Sequence, residues 1–222
     1  MTTSFTETHL VAAPKILVLG ATGLTGRHIV NQAVSRGYDV TALVRSPEKA
    51  ADLKGAKLVI GDARDEKALR QAINGRDAVI SALGTPASPF RKVSLLSTAT
   101  AALVNAMKAE QVSRLIAITG IGAGDSAGHG GFLFDKLILP LILRNIYADK
   151  NRQEAIIRDS KLNWTIVRPS ILVNKPGVNK VRALTDLSNV HGGSISRKDV
   201  ATFILDQINS DAWLRKSPLI TR

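Results

Sequence analysis

The feature that most limits what this chain can become is the turn Gly20-Ala21-Thr22-Gly23-Leu24-Thr25-Gly26, set at the end of the apolar run Lys15 to Gly20, KILVLG. A short apolar run ending in glycine reads as a strand buried on both faces of a parallel sheet. After the turn, Leu24 to Arg36 carries Ile29, Val30, Ala33 and Val34 at helical spacing, and Gly37 is placed to end that helix. A glycine-rich turn between such a strand and helix lets backbone N–H groups approach a diphosphate, whose charge the helix N-terminus favours. The spacing is GxxGxxG, which an ordinary tight turn also produces, so the surrounding elements must decide.

Those elements alternate. Strands are expected at Asp39 to Arg45, Lys57 to Gly61, Asp77 to Ala82 and Arg114 to Thr119. Between them come a short helix from Pro47 to Leu53, a helix with Asp65 as N-cap and Gly75 as terminator, and a long helix through Val93, Leu96, Thr100, Leu103, Val104 and Met107. Glycines from 120 to 131 make a flexible connection to a helical stretch ending near Ser160, and a sixth strand, Asn163 to Arg168, is stopped by Pro169. Ser194 to Ser196, a helix from Lys198 to Ile208 and a Pro218 to Thr221 segment follow less regularly. Five alternations predict parallel pairing with right-handed crossovers. The fold class is therefore α/β: a Rossmann-type doubly wound parallel sheet, one domain over 15–222 with a small irregular C-terminal substrate region, behind a loose extension at 1–14.

Composition narrows the function. With 222 residues, one core is the simpler assumption, and such a domain buries roughly 70% of its unfolded surface. No cysteine is present, which removes disulfides, thiol nucleophiles and thiolate-bound zinc, and four scattered histidines have no ligand spacing, so no metal is expected. Residues 1–14 lack the pattern of a secretory signal, and the most apolar stretch, Phe132 to Leu143, is interrupted by Asp135, Lys136 and Pro140 and is too short to span a bilayer. A cytoplasmic setting without a membrane partner is expected. The formal net charge of +12 favours anionic partners, yet the basic residues form no long run and only nine aromatics are available to stack on bases, so a phosphorylated small molecule is preferred to nucleic acid.

At the end of the second strand, where an acid would hold a ribose 2′-hydroxyl, the chain has Val44-Arg45-Ser46. An acid there would repel a 2′-phosphate, whereas Arg45 can fork onto one, with Ser46 and Lys49 adding donors. The plainer reading of Arg45 is a solvated strand-end arginine. NADP(H), with NAD(H) second, is the cofactor this pattern predicts.

The turn GATGLTG, the strand end ALVR, GDARD at 61–65, GRDAVISALG at 75–84 and VRPS at 167–170 together resemble an atypical short-chain dehydrogenase/reductase. Within that superfamily the likeness, over about 15–210, is to the NAD(P)H-binding branch that includes flavin and biliverdin-IXβ reductases and NmrA-like redox sensors. The resemblance implies that Gly20, Thr22, Gly23, Leu24, Thr25 and Gly26 cradle the diphosphate and that Asp62 contacts the adenine amino group. Asp62 is equally a candidate helix-entry residue. It further implies that Ala82, Leu83 and Gly84 line the adenosine side and that Thr119 and the backbone from Pro169 to Ile171 border the nicotinamide. A buried strand-end hydroxyl is the other reading of Thr119.

Short-chain reductases of alcohols and ketones use Tyr-x-x-x-Lys, a spacing that places both side chains on one helix face for proton transfer. Here Tyr147 and Lys150 are three apart. Thr119, Lys150 and Tyr147 are the candidate catalytic residues. Lys150 is read either as a ribose ligand or as an exposed helical lysine paired with Glu154, and Tyr147 either as an acid or as a packing residue. A reaction needing hydride but no strong protein acid fits best: an NADPH-dependent reductase of a small planar acceptor, flavin or quinone-like. A non-catalytic NADP(H) sensor acting through a protein partner is the alternative, and a homodimer is compatible with either. The 120–143 stretch is read as a mobile lid over the acceptor, or as a loop followed by a core or dimer-contact helix.

Overall fold

The computed structural model describes residues 12–86 and 89–222, so most of the expected 1–14 extension lies outside the described residues. Strands β1 (Lys15–Leu19), β2 (Asp39–Val44), β3 (Lys57–Ile60), β4 (Ala78–Ser81), β5 (Arg114–Ile118) and β6 (Asn163–Pro169) pair in parallel. With β8 (Arg182–Leu184) and β10 (Leu219–Thr221) they form an eight-stranded sheet in the order β3-β2-β1-β4-β5-β6-β10-β8. Only β8 runs antiparallel to its neighbour. β7 (Ile171–Val173) and β9 (Ser194–Ser196) make a separate parallel ribbon. The irregular C-terminal region of the sequence thus holds four strands of three residues each, too short to show a period, together with the helix Arg197–Asp206 and non-regular chain.

Helices cover both faces. On one, α1 (Leu24–Ser35) and α5 (Arg197–Asp206) bury Ile29, Val30, Val200 and Ile204 against Ile16 and Val18. On the other, α2 (Glu66–Ile73), α3 (Leu95–Ala109) and α4 (Arg144–Asp159) bury Leu69, Leu103, Met107 and Ile157 against Leu17 and Leu19. Alternate residues of β1 feed the two cores, which is why KILVLG has no polar side. Each fully buried aliphatic side chain contributes roughly 1.5–3 kcal/mol.

Local chemistry sets the ends. Asp65 caps α2 by accepting from the Lys67 and Ala68 amides, while Gly37 and Gly75 follow α1 and α2 at φ +78° and +69°. β6 runs one residue past the expected Arg168 and ends at Pro169, whose carbonyl accepts from the Ile121 amide at 3.0 Å.

The strand order reverses between β1 and β4, which opens a crevice at their C-terminal ends. There the chain passes so close to itself that side chains are excluded. A Cβ on Gly20 would lie 2.6 Å from the Ala82 carbonyl carbon, and one on Gly26 would lie 2.9 Å from the Ala21 Cα. Gly26→Ala should therefore destabilise the fold by about 1–3 kcal/mol, because backbone must move. Gly37→Ala, with open space around it, should cost only about 1 kcal/mol for its positive φ. Equal losses in denaturant titrations of the two variants would show that close approach is not what fixes Gly26.

Candidate functional site

A cleft of about 910 Å³ runs along the C-terminal edge of the sheet. Its wall at the β2 and β3 side includes Arg45, Asp62 and Ala63; Gly20, Thr22, Gly23, Leu24 and Thr25 lie in the middle beside Ala82, Leu83 and Gly84; Thr119, Ile146, Tyr147, Lys150, Leu172 and Arg197 form the other end. Gly26 and Pro169 are not on this wall. Gly26 fits α1 against the turn, and Pro169 stands behind Thr119.

The middle fits a diphosphate. Gly23 is the N-cap of α1 and offers no side-chain cap, and the first turn holds no acid, so the leading amides are left to whatever enters the cleft. Arg27, which the sequence reading passed over, fastens this turn from behind. Its Nε donates to the Thr22 carbonyl at 3.1 Å, its Nη2 donates to the Lys49 carbonyl at 2.8 Å, and it pairs with Asp52.

At the β2 and β3 end, Arg45 is exposed, and among the described residues its guanidinium has no hydrogen-bond partner. Ser46 donates its hydroxyl to Glu48, which competes with the donor role expected of it. Asp62 holds Arg64 in a two-pronged pair, Nε at 2.9 Å and Nη2 at 2.7 Å, and also accepts the Arg64 amide. That arginine keeps the Asp62 carboxyl down at about 2. Asp65, not Asp62, caps the following helix, so the helix-entry reading of Asp62 belongs three residues on.

The opposite end is organised around Thr119. Its hydroxyl, 5% exposed as a residue, donates to Glu154 Oε1 at 2.7 Å, and Glu154 in turn accepts from Arg168 Nε at 3.0 Å and Nη2 at 2.5 Å. Lys150 Nζ donates to the Thr119 carbonyl at 2.6 Å. Lys150 is therefore neither exposed nor the partner of Glu154. Burial pulls its pKa down to about 8 against the opposing pull of the Glu154 charge. Tyr147 donates its hydroxyl to the Ile121 carbonyl at 2.8 Å, with the Lys150 ammonium 4.7 Å from its ring centre. Burial, helped by the Asp135 charge, pushes that phenol up to about 12.

The Thr119 carbonyl is open to Lys150 for a reason in the backbone. In the β5–β6 ladder the Thr119 amide donates to Val167 O and the Ile121 amide to Pro169 O. Evenly spaced parallel bonds require, between those two, an N–H from residue 169 onto the Thr119 carbonyl. Proline has none. Lys150 supplies the missing donor.

Arg197 was also not anticipated. It follows β9, donates to Asn174 Oδ1 at 2.8 Å and is a cationic side chain lining the cleft. It lies 47 residues beyond Lys150 in sequence, and no spacing rule connects the two. The 132–143 stretch is not a core helix. It forms a π-helix, Phe134–Leu143, with no buried residue.

Residues 20–211 match the NAD(P)H-binding family. A protein of Bacillus subtilis strain 168, described as an uncharacterized sugar epimerase, is 30% identical over 206 residues, covering 89% of this chain and 90% of its own. The solved structure of an anaerobilin reductase from Escherichia coli O157:H7 superposes with a TM-score of 0.79 at 23% identity, over 93% of this chain and 96% of that one. A short-chain dehydrogenase/reductase from Veillonella parvula, solved in complex with NADP, gives a TM-score of 0.76 at 18% identity over 94% of each chain.

Pro169→Ala should return the ladder donor to the Thr119 carbonyl and take that acceptor from Lys150. The charged form then loses a hydrogen bond, and the Lys150 pKa should fall from about 8 by roughly one further unit. Carbon-13 NMR titration of the lysine ε-methylenes reads this directly. A midpoint equal to wild type would mean that the carbonyl stays with Lys150.

Proposed function

The chain belongs to the NAD(P)H-binding family, in the atypical short-chain dehydrogenase/reductase branch that its motifs resemble, and on that footing we propose that it is an NADPH-dependent reductase of a small planar acceptor, flavin or quinone-like. One observation carries the reading. Both hydroxyls at the acceptor end donate to protein oxygens, Thr119 to Glu154 and Tyr147 to the Ile121 carbonyl. A ketone reductase or an epimerase needs a hydroxyl poised to exchange a proton with substrate, and a phenol at about 12 is badly matched to that task. A flavin or quinone takes hydride at an electron-poor centre and draws its proton from solvent, so positioning supplies most of the acceleration.

Hydride is the chemistry the cofactor supplies when bound. The α1 amides and the turn from Gly20 to Gly26 hold its diphosphate, with Arg27 keeping the turn rigid. Arg45 takes the 2′-phosphate, and its guanidinium, close enough to Asp62 to feel its charge but making no hydrogen bond among the described residues, supports NADPH over NADH. Lys150, fixed by the Thr119 carbonyl, retains N–H groups to orient the nicotinamide ribose. Ile146, Leu143 and Leu172 give the acceptor end apolar walls that exclude water and suit a flat ring.

Oxidation of NADPH should be seen with flavins and quinones and not with simple ketones. Arg45→Asp should lower the preference for NADPH over NADH by roughly 5- to 150-fold. Unchanged preference would mean that another group reads the 2′-phosphate.

The ammonium form of Lys150 prevails below about pH 8 and the neutral amine above it. If the charge holds the ribose, kcat/KM for NADPH falls as pH rises through 8. A flat profile from pH 7 to 9 would remove Lys150 from cofactor binding.

The same engaged hydroxyls favour a second reading, a non-catalytic NADP(H) sensor. It requires NADP+ and NADPH to bind with different affinities, and no turnover with any acceptor. Turnover rejects it, and tight binding without turnover rejects the reductase.

A further inference from the structure

The π-helix Phe134–Leu143 is the most apolar stretch of the chain, yet it buries none of its side chains. Leu137, Leu141 and Ile142 are 47%, 66% and 47% exposed, and Phe132 and Leu133 just before them are 81% and 60% exposed. Apolar side chains gathered at this density normally face a core, so a surface carrying five of them is matched to something outside the domain. A tertiary contact enlarges the patch. Asn145 Nδ2 donates to the Pro89 carbonyl at 2.9 Å, which draws Phe90, 96% exposed, beside the start of α4.

The charges around this face have one sign. Lys136 and Arg144 are exposed on it, and Arg91 and Lys92 follow Phe90. Across 89–92 and 132–144 the one acid is Asp135, and its Oδ1 is buried next to Gly130 rather than presented outward. We propose that this face docks on the surface of an anionic phospholipid bilayer. Phe132, Leu133, Leu137, Leu141 and Ile142 enter the boundary between headgroups and acyl chains while the four cations meet lipid phosphates.

Charge selects this occupant. A second copy of a chain with net charge +12 would bring like-charged rims together around the same apolar centre, whereas an anionic bilayer attracts them. Among the described residues no helix is long and apolar enough to cross a membrane. A helix lying in the interface needs no span, and in this the proposal departs from the expectation of no membrane partner. Leu143, Ile146 and Tyr147, continuous with this face, line the cleft. On the reductase reading, a quinone-like acceptor dissolved in the bilayer would enter the cleft without crossing water. Docking itself does not depend on that reading.

The test is co-sedimentation of the full chain, without cofactor, with vesicles of phosphatidylcholine alone and of phosphatidylcholine mixed with phosphatidylglycerol. Binding to the anionic vesicles should be tighter by roughly tenfold or more and should weaken as salt is raised. Phe132→Ser combined with Leu141→Ser, and separately Lys136→Glu combined with Arg144→Glu, should each reduce it about tenfold or more at an unchanged thermal midpoint. Both pairs should leave NADPH oxidation with a soluble acceptor intact, so failure to dock and failure of the reductase reading are distinguishable. Absence of vesicle binding, equal binding to both compositions, or binding indifferent to these substitutions overturns the proposal. So does a dimer in sedimentation velocity that Leu141→Ser breaks, which assigns the face to a second copy.

Discussion

The close approach of two backbones at the end of β1 is the constraint from which the site follows. Gly20 sits at φ +73° against the Ala82 carbonyl, and α1 starts immediately beyond it, with Gly26 pressed to the turn. Any Cβ at these points would force β1 and β4 apart or lift α1 off the sheet. The reversal of strand order then leaves a crevice where the helix amides point, and Arg27 ties the turn to the segment after β2. An anion site results from packing requirements before any side chain contributes a charge.

At the other end of the cleft a single residue joins two kinds of interaction. Thr119 gives its hydroxyl to the Glu154–Arg168 pair and its carbonyl to Lys150. The pair is almost fully enclosed, with side chains 3% and 1% exposed. Such a pair stabilises a fold weakly relative to apolar residues of the same size, and each member has a second ion pair, Arg168 with Asp125 and Glu154 with Arg158. Its effect here is geometric. It fixes the end of β5 at the level of the cleft, so the carbonyl that receives Lys150 cannot drift. Proline at 169 leaves that carbonyl unclaimed by the sheet, and so a backbone deletion on β6 determines where a cation on α4 is held.

The order of strands and helices was legible because each buried strand is apolar throughout and each helix carries its own punctuation, Asp65 and Gly75 around α2 being the clearest instance. The positions of the glycine turn between β1 and α1 and of Arg45 at the end of β2 were legible for the same reason: they depend on neighbours within a few residues. Thr119 and Glu154 are 35 apart and meet only when β5 and α4 pack, and Arg197 reaches the cleft through the β7–β9 ribbon, whose three-residue strands show no period. One of the two readings of Lys150, an exposed lysine paired with Glu154 at i+4, is not what the structure shows. The structure gives each a different buried partner, because the strand ends beneath α4 offer a carbonyl to one and a guanidinium to the other. For 132–143 the sequence left a lid, a core helix and a dimer-contact helix open, and the absence of buried residues removes the core helix, since hydrophobicity in a sequence records that a residue avoids water, not which surface it meets.

That helix and the cleft are mechanically continuous. Phe134 packs edge-on to Tyr147 with ring centres 5.9 Å apart, and the Tyr147 hydroxyl is bonded to the Ile121 carbonyl, two residues beyond Thr119. The Lys150 ammonium lies against the same ring. Pro140 withdraws a donor from within the helix, and the wider register there is the kind of local irregularity that accompanies functional segments. The π-helix therefore packs on Tyr147, whose hydroxyl and ring meet the Ile121 carbonyl and the Lys150 ammonium at the Thr119 end of the cleft. Tyr147, its phenol pKa held up by burial, joins the exposed apolar face to the Thr119 end of the cleft.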